Sequence, residues 1–207
     1  MAISCLYFKQ YNMPEGFEIR KYDTIIDIGS HIGSFALFAA SQTSTGNIFA
    51  FEPDTDNYTQ LIKNIKENYY KNISAFQYAV SNSNGTVTLY RSNMNNAENS
   101  IYKKGSESIT VKSITLSDII KQHKITAIDF LKLDCEGAEY NIIFESPKEI
   151  FNNIEKIVME CHTPKYFDIA NPRYNQKAMI EYLQTLGYKT KCIRENAIHD
   201  LIFAKRI

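Results

Sequence analysis

The sequence predicts an α/β fold: a mostly parallel β-sheet with helices on both faces, an inserted β-hairpin and a C-terminal antiparallel strand pair. Three observations carry that prediction. From residue 24 onward, apolar runs rich in β-branched residues alternate with segments of helical periodicity. The first such run, Thr24, Ile25, Ile26, Asp27 and Ile28, passes through a glycine turn straight into a helix. The last two strand runs are separated by a short turn, too short for a crossover, so they pair antiparallel.

Residues 1–23 read as a leader, with a turn at Met13, Pro14, Glu15 and Gly16, into one domain spanning 24–207. Residues 24–28 form the first strand. Phe35 to Ala40 have helical spacing, and residues 48–51 make a second strand that stops at Glu52 and Pro53. Between 54 and 70, Tyr58, Leu61, Ile62 and Ile65 keep one helical face, with Asp54 as N-cap. Residues 73–80 read as a third strand. After a turn at Asn82 to Gly85, residues 86–90 and 108–114 alternate and read as the inserted hairpin, its long loop at 92–106. A short helix at 116–122 precedes a continuous apolar strand at 127–133, as expected of a strand buried on both faces. A helix at 138–145, a buried strand at 157–160 and a helix at 178–186 follow, the last stopped by Gly187. Strands at 188–193 and 201–205 close the chain.

Composition narrows the function. A chain of 207 residues suits one substantial core, and its 44% hydrophobic content is that of an ordinary globular protein. Lys plus Arg and Asp plus Glu both number 23, so no net field draws the protein to nucleic acid or acidic membranes. Cys5, Cys135, Cys161 and Cys192 never form C-x-x-C, which argues against zinc or a disulfide framework. The N-terminus has too short an apolar run for a secretory signal, and nothing approaches a membrane span. A cytoplasmic location is the expectation.

The loop from Gly29 to Gly33 carries the first chemical hint. A strand that enters a helix at once must turn sharply, and a ligand there lies close to the backbone, which leaves no room for a side chain at Gly29. Glu52 ends the next strand, and a carboxylate accepts two hydrogen bonds side by side, matching the hydroxyl pair of a ribose. The glycines are four apart and lack the G-x-G-x-x-G that seats a diphosphate. A nucleoside cofactor without phosphates therefore suits the loop, S-adenosylmethionine being the usual one, and a nicotinamide dehydrogenase does not.

In parallel sheets the ligand lies beyond the carboxyl ends of the strands. Those ends read Asp27 to Gly29, Glu52-Pro53, Ala79-Val80-Ser81, Asp134-Cys135-Glu136-Gly137 and Glu160-Cys161-His162. Four of the five carry a carboxylate, a concentration on one sheet edge that solubility alone does not require.

Together with Asn64 to Asn68, Gly85, Ile114 to Asp118 and the run Ile128 to Glu139, these segments resemble the FkbM-type methyltransferases, a family of class I S-adenosylmethionine-dependent enzymes. The resemblance runs from about residue 24 to 160, and Lys132-x-Asp134-x-Glu136-Gly137-x-Glu139 is its most specific part. Ser30-His31 stands where Ala-Asn is frequent in the family, and Ser117 where Asp is frequent. The resemblance implies a Rossmann-like class I methyltransferase fold with a seven-stranded sheet, and O-methylation of a hydroxyl on a sugar, glycan or natural-product acceptor.

The cofactor residues expected on these grounds are Asp27, Gly29, Ser30, Gly33, Glu52, Pro53, Ala79, Val80 and Asp134. In-line methyl transfer needs alignment and a base for the acceptor hydroxyl. Asp134 or His162 takes that proton, with Glu136 and Lys132 shaping the acceptor pocket. His31, in the first turn of its helix, is expected to face solvent. No metal is assigned; a divalent cation held by Asp134, Glu136, Glu160 and His162 is the alternative activator, since oxygen-rich sets with an imidazole suit Mg²⁺ or Mn²⁺. The acceptor is expected to be a small molecule or glycan rather than nucleic acid, covered by residues 92–106 and 163–174, where Asn95, Asn96, Asn99 and Ser100 offer hydrogen bonds. A base methyltransferase would want Asn/Asp-Pro-Pro-aromatic or Pro-Cys where Asp134-Cys135-Glu136-Gly137 stands. A non-catalytic subunit of the same fold would have lost the strand-end acids.

Overall fold

The computed structural model describes residues 14–91, 99–102, 107–167 and 169–207. Most of the expected leader, Cys5 and much of the 92–106 loop, including Asn95 and Asn96, lie outside the described residues.

The main sheet has seven strands: β1 (Ile25–Ile28), β2 (Ile48–Phe51), β3 (Ile73–Phe76), β7 (Ile128–Leu133), β8 (Ile154–His162), β9 (Tyr188–Arg194) and β10 (His199–Arg206). Their order is β3-β2-β1-β7-β8-β10-β9. The first five pair parallel, whereas β10 is antiparallel to both β8 and β9. The topology reverses beside β1, which has β2 on one side and β7 on the other, and such a switch point opens a crevice at the strand ends.

Alternation within the strands sorts side chains onto two faces. Ile25, Phe130, Val158, Leu201 and Phe203 join a core with Phe17, α1 (Ser34–Gln42) and α2 (Thr55–Glu67). Ile26, Ile28, Leu131, Leu133 and Met159 face the opposite core, against α3 (Leu116–Gln122), α4 (Glu139–Glu145) and α5 (Gln176–Thr185). Asp54 caps α2 by accepting from the backbone N–H groups of Asp56 and Asn57.

Three expectations change. The run 73–80 is two strands, because the Phe76 carbonyl accepts from both Glu52 N and Tyr78 N and ends β3 there. The chain then leaves the main sheet, and β4 (Ala79–Ser81) pairs parallel with β6 (Glu107–Thr115). The inserted hairpin, β5 (Gly85–Arg91) with β6, is therefore part of a three-stranded sheet. Strand β8 is also much longer than 157–160. It is paired along its length by β10, from His199 opposite His162 to Lys205 opposite Lys156, so Cys161 and His162 belong to the strand.

Candidate functional site

A cavity opens at the carboxyl ends of β1, β2 and β7, together with β4. Gly29, Ser30, Glu52, Pro53, Ala79, Val80, Lys132, Asp134 and Glu136 all line it, and so does His31, which the sequence reading assigned to solvent. Asp27, Gly33 and His162 do not.

Gly29 has a reason different from the expected one. Its φ is 74°, and a β-carbon there would meet the carbonyl oxygen of Asp134 at 1.7 Å. The glycine thus permits the backbones after β1 and β7 to touch. Gly33, with φ 91°, is the N-cap of α1, and its β-carbon would meet Leu61 on α2 at 2.5 Å. Both glycines shape the rim by protein packing.

Glu52 is buried at the cavity wall. Its Oε2 accepts from His31 N at 2.8 Å and its Oε1 from Asp54 N at 2.9 Å, and the Asn57 side chain adds a third hydrogen bond, so of the roughly four acceptor sites of a carboxylate about one is left for a ligand. Burial pushes its carboxyl up to about 7, against the opposing pull of those backbone donors. A buried carboxylate held in place with acceptor capacity to spare, beside the apolar Phe51, Ala79 and Val80, fits a nucleoside with its ribose hydroxyls toward Glu52.

On the other side of β1, Lys132 is buried and acts as a clamp. Its Nζ donates to the Gly29 carbonyl at 2.9 Å and pairs with Asp27 Oδ1 at 3.2 Å and Asp134 Oδ2 at 3.5 Å. Asp27 is fully buried; burial pushes its carboxyl up, and Lys132 opposes that push. Asp27 therefore anchors Lys132 beneath the cavity floor. Asp134, with 21% of its side chain exposed, is the carboxylate at the end of β7 that reaches the cavity.

The loop after β7 is organised by Glu139, which closes the Lys132-x-Asp134-x-Glu136-Gly137-x-Glu139 motif and has no expected site role. It is completely buried at the start of α4. Its Oε1 accepts from Cys135 N at 2.9 Å and its Oε2 from Gly137 N at 3.0 Å, the way a carboxylate at a helix start satisfies free N–H groups. The same Oε1 lies 2.9 Å from His162 Nδ1. The available signal was a glutamate in the first helical turn after a glycine loop.

His162 is 1% exposed, with Phe167 edge-on to its ring at 5.1 Å. Burial pushes the imidazolium down, but Glu139 and Glu136 outweigh it and raise the ring to about 10. Glu136 is held above the usual carboxylate range by burial, which the neighbouring His162 opposes. Two non-glycine residues at the cavity, His31 and Glu136, have left-handed backbone, with φ of 51° and 52°. Such conformations cost about 1–3 kcal/mol each and gather at functional sites. The Glu136 carbonyl is tied down by Ser100, whose Oγ donates to it at 2.6 Å.

Asp134, Glu136 and His162 offer donor atoms within 4.8 Å of one another, and so do Glu160, His162 and His199. His199 was not singled out from the sequence. Of the 163–174 stretch, Phe167 and Tyr174 are buried, Tyr174 stacking on Tyr140 at 5.1 Å, so these aromatics pack inward. Cys135 is half-buried at the cavity, and desolvation pushes its thiol well above the usual range. Among the described residues no helix is long and apolar enough to cross a membrane.

Residues 27–190 match the family model described as the methyltransferase FkbM domain. The chain is 25% identical over 190 residues to hexuronic acid methyltransferase AglP of Haloferax volcanii, covering 91% of this chain and 73% of that protein. It is 27% identical over 172 residues to methyltransferase sdnD of Sordaria araneosa, covering 68% and 66%. A crystal structure of methyltransferase FkbM from Methylobacillus flagellatus KT superposes with a TM-score of 0.66 at 15% identity, covering 98% of this chain and 47% of that one. The chain thus spans about half of that protein. Aeropyrum pernix fibrillarin, solved with S-adenosyl-L-methionine bound, shares the fold at a TM-score of 0.51 and 13% identity, covering 98% of this chain and 73% of that one.

Proposed function

The chain belongs to the FkbM methyltransferase family, and on that premise we propose that it transfers the methyl group of S-adenosylmethionine to a hydroxyl oxygen of a sugar or related small-molecule acceptor. One observation carries the proposal: Glu52 and Asp134 line the same cavity from strand ends on either side of β1. Two strand spacings separate them, roughly 10 Å, enough for a nucleoside end and a reacting end.

S-adenosylmethionine supplies an activated methyl group on a sulfonium. Glu52 would hold a ribose hydroxyl with the acceptor capacity its carboxylate keeps, and Ala79 and Val80 would pack against the base. Asp134 would accept the proton of the acceptor hydroxyl, since it reaches the cavity while His162 lies behind Glu136 and Glu139. Lys132 would aim the Asp134 carboxylate, and Glu136 would contact the acceptor. The similarity to a protein named as a hexuronic acid methyltransferase supports a sugar acid among the acceptors to be tried. A neutral net charge and a thiol that burial keeps protonated at Cys135 both speak for a small acceptor over a nucleic-acid base.

The test is product formation from S-adenosylmethionine over a panel of hexuronic acids, neutral sugars and nucleic acids, with the methyl ether located by mass spectrometry. Asp134→Asn is expected to lose about 10²–10⁴-fold in kcat while it still binds the cofactor. Cofactor binding by the wild type with no turnover on any acceptor would favour a non-catalytic subunit instead.

A further inference from the structure

We infer that Glu160, His162 and His199 form a binding site for one divalent transition-metal ion, of the Zn²⁺ or Mn²⁺ class. The argument starts from strand geometry. Glu160 and His162 are two residues apart on β8, so both point to the same face of the sheet. His199 pairs directly with His162 across the antiparallel β8–β10 ladder, so it points to that face as well. Two imidazoles and a carboxylate are therefore brought together by register.

The donor separations are those of a coordination shell more than those of a hydrogen-bonded cluster. Glu160 Oε2 lies 3.5 Å from His199 Nδ1 and 4.0 Å from His162 Nε2, and all three donors fall within 4.8 Å of one another. Two ligands each about 2.1 Å from one tetrahedral ion stand about 3.4 Å apart, whereas charge-assisted hydrogen bonds close to about 2.8 Å.

A second, independent feature is on the far side of the ring. Buried Glu139 lies 2.9 Å from His162 Nδ1 and holds that ring edge, which leaves Nε2 as the inward nitrogen. A carboxylate on the distal nitrogen is the usual support of a metal-bound histidine, fixing its tautomer and raising its basicity. Around His199, Asn196 Oδ1 accepts from the His199 backbone N–H at 3.0 Å, and its amide nitrogen is 3.5 Å from Nε2, holding the strand entry in place. Two imidazoles favour Zn²⁺ most, Mn²⁺ takes a mixed imidazole–carboxylate set more weakly, and Mg²⁺ prefers an all-oxygen shell.

Binding is measured without methyl donor or acceptor, so its failure is separable from failure of the methyl-transfer reading. The whole chain, stripped with a chelator and exchanged into metal-free buffer, is titrated calorimetrically with Zn²⁺, Mn²⁺ and Mg²⁺. About one equivalent of Zn²⁺ or Mn²⁺ is expected to bind, with Mg²⁺ at least about tenfold weaker. His199→Ala, at the partly exposed entry of β10, and Glu160→Gln are each expected to weaken binding by about tenfold or more, their folding checked by circular dichroism and thermal unfolding. Manganese electron paramagnetic resonance reads the same loss directly. No stoichiometric uptake by the wild type, or uptake unchanged in both folded variants, overturns the site and leaves a charge network of histidines and glutamates in its place.

Discussion

The carbonyl oxygen of Asp134 stands 1.7 Å from where a β-carbon on Gly29 would sit. The backbones leaving β1 and β7 therefore meet through a glycine, and Gly29 also holds φ 74°. Gly29→Ala adds a left-handed alanine to a backbone overlap that no side-chain rotation relieves. It is expected to destabilise the fold by more than about 3 kcal/mol, read from the midpoint of urea unfolding. A variant as stable as wild type would show that the two loops separate freely.

Lys132 and Asp27 form a buried pair in which each depends on the other. Lys132→Met leaves an uncompensated carboxyl and is expected to cost about 3–5 kcal/mol at neutral pH. The sign with pH follows from burial, which already pushes the Asp27 carboxyl up against the opposing Lys132. Without the lysine the folded-state pKa rises further, so the native state keeps a proton that the unfolded chain releases. Stability of the variant then falls as pH rises above about 4, and Asp27→Asn added to Lys132→Met is expected to flatten that dependence.

Glu52 gives cofactor binding a pH dependence. Its carboxyl is raised to about 7 by burial. On the proposed reading, ribose hydroxyls donate to the ionised form, so binding would lower this pKa. Affinity for S-adenosylmethionine is expected to be level above pH 7 and to fall by up to about tenfold per pH unit below it. Calorimetry across pH 5.5–8.5 reads this, and Glu52→Gln should bind weakly with no such dependence.

Ser100 couples the inserted segment to the loop after β7, since its hydroxyl donates to the Glu136 carbonyl at 2.6 Å. Ser100→Ala removes that hydrogen bond to a residue in left-handed conformation and also the one its Oγ accepts from Tyr102 N, each worth about 1 kcal/mol. The expected result is a rise of about fivefold in KM for the acceptor, with cofactor affinity unchanged. Equal losses in both would mean that the segment orders the whole cavity.

Much of the fold was legible because the central strands are continuous apolar runs buried on both faces. Residues 48–51 and 116–122 were bounded as they stand in the structure, and the C-terminal pair is antiparallel as its short turn requires. The single run 73–80 misled because local alternation does not say which sheet a strand joins. The split at Phe76 depends on Glu52 N reaching its carbonyl, a contact between distant residues. The expected strand at 157–160 is shorter than β8 because Lys156 and His162 flank it with polar residues, and their burial depends on partners elsewhere in the chain.

At the site, local pattern marked Gly29, Glu52, Asp134 and Glu136, because strand ends in a parallel sheet share one edge whatever their sequence separation. By itself, then, the sequence determined the sheet, its carboxylate-lined edge and the family. Tertiary structure alone decided which of those groups face the cavity. It buried Asp27 under Lys132, set His162 behind Glu139, turned His31 inward and brought His199 across from His162 by strand register. The reason is physical: periodicity along a chain encodes which face a side chain takes, whereas the partner it meets there is chosen by register and by contacts between segments far apart in sequence.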